Sequence, residues 1–101
     1  MKVAIVGVPT MDNIESVILQ YLPKTTTEIW CAAEENGAPA HLAATLNVAF
    51  RTVTSGKDED LLAAAEEFLV FWSGEADRAG RIAAKCVKCG KPVRLIPISL
   101  I

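Results

Sequence analysis

Carboxylates, one histidine and a cysteine pair are the side chains that could do chemistry in this sequence, and they form no recognisable catalytic set. His41 is the single histidine, so neither a histidine metal site nor a Ser–His–Asp arrangement has support. Its position near a predicted helix start is typical of a surface or capping residue. Glu34–Glu35 and Glu66–Glu67 are adjacent pairs, and neighbouring residues on a helix do not face each other. We therefore predict no catalytic residue and no metal site.

Cys86 and Cys89 form a CxxC motif, whose position argues against redox chemistry. Redox motifs of this kind begin a helix, where the dipole favours the thiolate, whereas this one falls in the last turn before Gly90. We predict buried or half-buried helix thiols, and zinc shared across a dimer is the alternative. Three cysteines without an export signal indicate free thiols in a reducing cytoplasm.

Apolar segments and helical patterns alternate along the chain. The predicted strands are 3–8, 28–31, 49–54, 68–72 and 93–98. The first predicted helix is capped by Asp12 and ends at Pro23, and the second begins near Pro39. The third runs from 58 to about 67, and the fourth covers 77–89. Strands that alternate with helices indicate a parallel sheet with right-handed crossovers. The predicted fold is α/β, a three-layer Rossmann-like open parallel sheet of about five strands with helices on both faces. Residues 1–101 are predicted to form one domain.

Three strand-to-helix segments could bind a ligand, because open parallel sheets bind ligands outside the carboxyl ends of their strands. These segments are 7–11, 31–39 and 73–78, and each precedes a helix whose first N–H groups are unpaired. The predicted ligand-binding residues are Gly7, Thr10, Ser73, Gly74 and Arg78, with Ala32, Ala33 and Glu34 as a possible second loop. The alternatives are an ordinary turn for the first segment and, for the third, a solvated helix face with an Asp77–Arg81 ion pair.

The middle segment, WCAAEENGAPAHLA at residues 30–43, lacks the glycines that let a backbone approach phosphate. Methyl groups of Ala32 and Ala33 would hold a phosphate off the backbone. Glu34 and Glu35 would repel its charge if they faced the crevice. We expect this loop not to bind phosphate in the usual way.

Composition excludes several function classes. The chain has 101 residues, a net charge of −2 and 51% hydrophobic residues, so it has enough apolar residues for a core but no broad basic field for nucleic acid or an anionic membrane. No apolar run is long enough to span a bilayer, and MKVAIVGVPT is typical of a first strand rather than a signal peptide. A cytoplasmic location is expected.

Several segments resemble the SLOG superfamily, namely MKVAIVG, LPKTTTEIW, and FWSG followed by GKPVRLI. The likeness is closest to small single-domain Rossmann-like members, and the superfamily also includes the DNA-processing protein A fold and the LONELY GUY phosphoribohydrolases. This resemblance covers nearly the whole chain and implies a nucleotide or nucleotide-derived ligand at the strand ends. The glycine-rich motif with a catalytic glutamate that marks the phosphoribohydrolases is absent.

The binding positions of that family are changed in this chain. Gly7-Val8-Pro9 stands where the family tends to have Gly-Ser-Arg, and residues 32–35 are Ala-Ala-Glu-Glu where it has Gly-Gly-Ala and later an Asp. At the start of the fourth helix, Ala76, Arg78 and Ala79 replace a Ser and a Gly-Thr pair. The resemblance therefore supports the family's fold for this chain more strongly than it supports the family's binding site.

Three functions follow as hypotheses. The first is a nucleotide-related small-ligand binding or sensor domain with a degenerate phosphate site and no cofactor. The second is a non-catalytic homo-oligomeric interaction domain that has lost ligand binding. It is suggested by the loss of phosphate-compatible residues in all three loops and by the apolar end of the chain, IPISLI. The third is a hydrolase or transferase acting on a nucleoside glycosidic bond, for which Glu34, Glu35 and Glu75 are the candidate carboxylates. A non-enzymatic role is favoured.

Overall fold

One five-stranded parallel sheet organises the computed structural model, which describes residues 1–35, 37–75 and 77–100. Its strands are β1 (Lys2–Val6), β2 (Glu28–Ala32), β3 (Ala49–Val53), β4 (Glu67–Trp72) and β5 (Val93–Pro97), and its helices are α1 (Ile14–Tyr21), α2 (Ala38–Leu46), α3 (Asp58–Ala64) and α4 (Arg78–Cys89). A short 3-10 turn, Ile98–Leu100, follows β5. The strand order is β3-β2-β1-β4-β5. The predicted α/β Rossmann-like fold is confirmed.

Two apolar clusters hold helices to the two faces of this sheet. Ile18 of α1 and Leu42 of α2 pack in the cluster that contains Ile5, whereas Leu61 of α3 and Ile82 of α4 pack in the other cluster. Successive side chains of a strand point to opposite faces, so the central strand β1 needs apolar residues at consecutive positions. Four of its five residues are buried, which is why its sequence is a continuous apolar run.

Element boundaries differ from the sequence prediction where contacts between distant segments decide them. The third helix ends at Ala64 rather than near 67, because Ala65 is extended and the Glu66 N–H bonds to the carbonyl of Lys2 as the chain enters β4. The first strand ends at Val6 rather than at 8. Asp12 does not cap α1: Asn13 holds the cap position in a left-handed conformation, without a side-chain hydrogen bond.

The carboxyl end of the chain packs onto the domain's own core within the described range. Ile96 is 3% exposed, and Ile98 packs against the cluster on the α1–α2 face. These two side chains of IPISLI are therefore covered without a second copy. Ile101 lies outside the described residues. Within the described part of the chain, every helix falls short of the length and apolar character needed to cross a bilayer.

The strand order reverses direction at β1, and this reversal positions the candidate site. The chain moves from β1 through β2 to β3 on one side, then returns to β4 and β5 on the other. All five strands are parallel, so the turns after β1, β2 and β4 all lie at the carboxyl ends of the strands. An open sheet leaves a crevice at such a reversal, because the flanking connections diverge to opposite faces.

Candidate functional site

A small cleft lies at the carboxyl ends of β1 and β2, beside the first turn of α4. We call it the strand-end cleft, and its volume is about 220 Å³. Its lining residues are Val6, Gly7, Ala32, Glu34, Glu35, Asp77, Arg78 and Ala79. Backbone amides, one guanidinium and three carboxylates therefore share a space smaller than the roughly 300–1,000 Å³ of ordinary ligand pockets.

The turn after β1 is built on Gly7, which presents two backbone N–H groups to this cleft. Gly7 has a φ of 75°, and a Cβ there would overlap the carbonyl oxygen of Phe71 and lie 3.0 Å from the Cβ of Ala79. A side chain is therefore excluded by both conformation and space. The turn brings the N–H groups of Gly7 and Val8 side by side, an arrangement that attracts an anion.

Glu35 from the β2–α2 connection supplies that anion from within the protein. The Gly7 N–H donates to its Oε1 at 2.6 Å, and the Val8 N–H donates to its Oε2 at 3.2 Å. Each carboxylate oxygen thus has one amide, as a bound carboxylate ligand would. The glutamate faces the crevice, which is the condition under which it opposes phosphate.

Burial dominates the electrostatics of this contact. Loss of solvent raises the pKa of Glu35 above its usual range, although the hydrogen bonds from Gly7 and Val8 act to lower it. Burial and the charge of Glu35 also raise the pKa of the neighbouring Cys31 thiol to about 12, so Cys31 is a protonated thiol at neutral pH. The ionised form of Glu35 therefore lowers the stability of the folded protein.

Arg78 forms the cationic side of the strand-end cleft, and two acidic residues already neutralise it. Its Nη1 pairs with Glu34, and its Nε donates to Oδ1 of Asp58 at 3.2 Å. Its Nη2 is buried and has no hydrogen-bond partner, the one buried side-chain polar atom in that state among the described residues. A buried donor without an acceptor costs about 1–3 kcal/mol.

Asp58, the first residue of α3, anchors the basic face of α4. It is 5% exposed, and its Oδ2 accepts from Arg81 Nε at 2.7 Å and from Lys85 Nζ at 3.2 Å. The hydrogen bond from Arg81 is the main reason that the pKa of Asp58 is lowered. Asp77 instead caps α4 by accepting from the Gly80 N–H at 3.0 Å. Arg81 therefore bonds to Asp58, not to Asp77 as in the alternative for the third segment.

Four of the predicted binding residues line the strand-end cleft and four do not. Those that line it are Gly7, Ala32, Glu34 and Arg78. Thr10, Ala33, Ser73 and Gly74 are exposed and lie outside its lining. Ala76, where the resembling family has a binding residue, falls outside the described residues. The turn after β4 thus contributes through the start of α4 rather than through its serine and glycine.

Glu35 and Asp58 are the two important residues that sequence reasoning did not place. The sequence predicts an effect of the Glu35 charge on phosphate. It does not predict the hydrogen bond from Gly7, because the two residues are 28 positions apart and no local pattern relates them. The contact of Asp58 with α4 has only an ambiguous trace in the sequence. Arg78, Arg81 and Lys85 lie three and four positions apart and so share one helix face, a pattern that is also typical of a solvated face; only the structure places Asp58 against it.

The remaining reactive side chains lie away from the strand-end cleft. Cys86 is buried, and burial raises its pKa to about 11, while Cys89 is exposed near the end of α4. His41 is largely exposed, and its Nδ1 lies 2.6 Å from Oε1 of Glu15. Over the described positions, no three His, Cys, Asp or Glu side chains are grouped so that they could hold a metal ion.

Comparisons with protein-family models, with curated proteins and with solved structures gave no significant match to this chain. The resemblance to the SLOG superfamily therefore stays a prediction from the sequence.

Proposed function

We infer that this protein is a non-catalytic binding or sensor domain whose strand-end cleft takes an anionic small molecule in exchange for its own carboxylates. The carrying observation is the contact of Glu35 with the N–H groups of Gly7 and Val8. The two amides therefore already hold an anionic group, and an oxygen of a ligand carboxylate or phosphate is an equivalent acceptor. The resemblance to the SLOG superfamily makes a nucleotide-derived anion one class to test.

Arg78 Nη2, which has no hydrogen-bond partner in the described part of the chain, supports the same proposal. A buried guanidinium nitrogen without an acceptor is costly, and an oxygen of a bound anion would remove that cost. Arginine also suits a carboxylate or phosphate, because its planar fork donates two parallel hydrogen bonds.

The state of the nearby glutamates favours binding over catalysis. Glu35 has the raised pKa that a general acid needs, but both of its oxygens accept main-chain hydrogen bonds. Glu34 is paired with Arg78, and Glu75 is exposed and outside the lining of the strand-end cleft. Glycosidic-bond chemistry is the third candidate. Nucleoside turnover that is lost in a glutamine variant of one of these three residues would favour it.

A thermal-shift titration tests the binding proposal. The wild type and a Glu35→Ala variant are melted with millimolar AMP, GMP, cyclic AMP, inorganic phosphate and succinate, at constant ionic strength. A ligand at a hundred times its Kd adds about 2.7 kcal/mol to the unfolding free energy, or about 13 °C in Tm for a chain of this size.

We expect a larger rise in Tm for Glu35→Ala than for the wild type with at least one of these anions, because the variant lacks the carboxylate that competes for the amides of Gly7 and Val8. Glu66→Ala is the matched control. Glu66 Oε1 also accepts a backbone hydrogen bond, from the Lys2 N–H at 3.1 Å, but it lies at the amino ends of the strands, away from the strand-end cleft. Unchanged Tm values with every anion, in both the wild type and Glu35→Ala, would refute the proposal.

A homo-oligomeric interaction domain is the second candidate, favoured by an apolar groove between α4 and the edge strand β5. The groove has a volume of about 270 Å³ and is lined by Trp72, Gly80, Ala83, Ala84, Val87, Val93 and Leu95. Val87 is 73% exposed and Leu95 is 42% exposed. A second copy related by a twofold axis would extend the sheet at β5 and cover this groove.

Sedimentation velocity tests this second candidate. A dimer that becomes a monomer on Val87→Glu would support it, because an exposed side chain can change without disturbing the core. A monomeric wild type at high micromolar concentration would rule it out.

A further inference from the structure

We propose that the ligand of the strand-end cleft is a short dicarboxylate, whose two carboxylates replace those of Glu34 and Glu35. This inference rests on the proposed function and narrows it to one class of ligand. Both glutamates line the cleft, and each meets a different anion-binding group. The two consecutive side chains therefore occupy the site as an internal dicarboxylate would.

The first anion-binding group matches a carboxylate better than a phosphate. The turn offers one N–H to each of two oxygens, at 2.6 Å from Gly7 and 3.2 Å from Val8. Phosphate-binding turns use several glycines so that several N–H groups surround three oxygens. Here the segment facing the turn has Ala32 in the lining instead of a glycine.

The second anion-binding group is the Arg78 guanidinium. Nη1 holds Glu34, and Nη2 is buried with no partner among the described residues, so a ligand reaches this guanidinium only when it displaces the Glu34 carboxylate. A ligand carboxylate that is not tethered to the chain is free to turn and accept from both nitrogens.

Size and charge point the same way. The space of about 220 Å³ is below the range of pockets that enclose drug-sized molecules, so a nucleotide would project from it. Asp77 also lines the strand-end cleft and Asp58 already pairs with Arg78, so a doubly charged phosphate at one point would meet nearby carboxylates. A dicarboxylate instead divides its charge between the amide pair and the guanidinium.

Isothermal titration calorimetry of a Glu34→Ala/Glu35→Ala variant tests this proposal. The ligands are succinate, glutarate and adipate, with butyrate, inorganic phosphate, AMP and N-acetyl-Glu-Glu-amide for comparison. We expect one dicarboxylate of the series to bind about tenfold to a hundredfold more tightly to the variant than to the wild type, since the variant loses charge-assisted competitors. Glu66→Ala should bind as the wild type does.

A further change locates the second carboxylate. Adding Arg78→Lys to the variant keeps the positive charge but removes the planar fork, and it should weaken the preferred dicarboxylate without a matching effect on butyrate. Equal weakening of both would contradict the assignment of the second carboxylate to Arg78. If the double alanine variant does not fold by circular dichroism, Glu34→Gln/Glu35→Gln replaces it in every titration.

The remaining outcomes separate this inference from the proposed function. Binding of phosphate or AMP in preference to every dicarboxylate would overturn the inference and leave an anion-binding domain. Preference for N-acetyl-Glu-Glu-amide would also overturn it, because the partner would then be an acidic peptide. Absence of heat with all seven ligands would overturn both.

Discussion

Glu35 behaves toward Gly7 and Val8 as a bound ligand behaves toward its receptor. Two amide hydrogen bonds lower the pKa of its carboxyl, but burial raises that pKa by more. Desolvation therefore outweighs the two bonds, and the ionised side chain lowers the stability of the fold. A buried charge that costs stability is typical of a residue retained for function.

The pH dependence of stability should report this cost. A raised pKa means that the folded protein binds a proton at Glu35 more readily than the unfolded chain, whose glutamates titrate near about 4.3. As the pH falls from neutral through the raised pKa toward that value, this group should increase the unfolding free energy.

Urea denaturation of the wild type and Glu35→Gln between pH 7 and pH 4.5 checks this expectation, because the variant lacks the titrating group. As the pH falls, the unfolding free energy of the wild type should increase relative to that of Glu35→Gln. Glu66→Gln controls for the loss of one surface carboxylate. A difference that is constant with pH, or moves in favour of the variant, would contradict the cost assigned to the buried charge.

Gly7 should tolerate a side chain far less well than another glycine with the same backbone conformation. Gly7 and Gly56 both have a φ of 75°, but a Cβ at Gly56 meets nothing within 4 Å. Gly56→Ala should cost only the left-handed conformation, about 1 kcal/mol, and Gly7→Ala about 3 kcal/mol once steric overlap is added. Urea midpoints measure both values. Equal costs would mean that the turn does not pack against Phe71 as described.

At the scale of elements, α4 brings the strand-end cleft and the α3–α4 contact together. Arg78, Arg81 and Lys85 lie on one face of α4, and all three reach Asp58 at the start of α3. Arg78 also reaches Glu34 in the β2–α2 connection. Asp58, which lies outside the lining of the strand-end cleft, therefore helps to hold the Arg78 guanidinium in position.

Removal of the Asp58 carboxylate should destabilise the fold. Asp58→Asn leaves three cations without their shared partner, and we expect a loss of about 2 kcal/mol at pH 7, below the ~3–5 kcal/mol for a fully buried pair because Arg81 and Lys85 reach solvent. Glu59→Gln, which removes an exposed partner of Lys85, should leave stability almost unchanged.

The pH profile gives an independent check of the same contact. The pKa of Asp58 is lowered in the folded state, so the advantage of the wild type should be present above the unfolded pKa of about 3.9 and lost as the pH falls through the folded value. Equal stability of Asp58→Asn and the wild type at pH 7 would contradict the role of this carboxylate.

The elements were predictable from local sequence because each has a local cause. Buried parallel strands are continuous apolar runs, as at Phe68–Leu69–Val70–Phe71, and helices follow them with breakers such as Pro23 between. The end of α3 was not predictable, because a hydrogen bond from Glu66 to Lys2 decides it. Such a bond depends on how β1 and β4 pair, which no local pattern contains.

For the whole molecule, topology explains which part of the site could be predicted. Alternating strands and helices predict a parallel sheet and therefore candidate ligand segments at the strand ends, but they do not fix the strand order that places the reversal at β1. The identity of the group that occupies the amides of Gly7 and Val8 did not follow. Several side chains in three segments were chemically suitable, and only the folded arrangement selects Glu35.

The central claim is that the amides of Gly7 and Val8 form an anion-binding site that Glu35 occupies. The most direct measurement is the amide proton chemical shift of these two residues by ¹H–¹⁵N NMR, in the wild type, in Glu35→Ala, and in Glu35→Ala with an anion from the thermal-shift series. Both amide protons should move upfield in the variant, because they lose a charged acceptor, and return downfield when the anion binds. Shifts that are the same in the wild type and the variant, or that no anion restores, would contradict the claim.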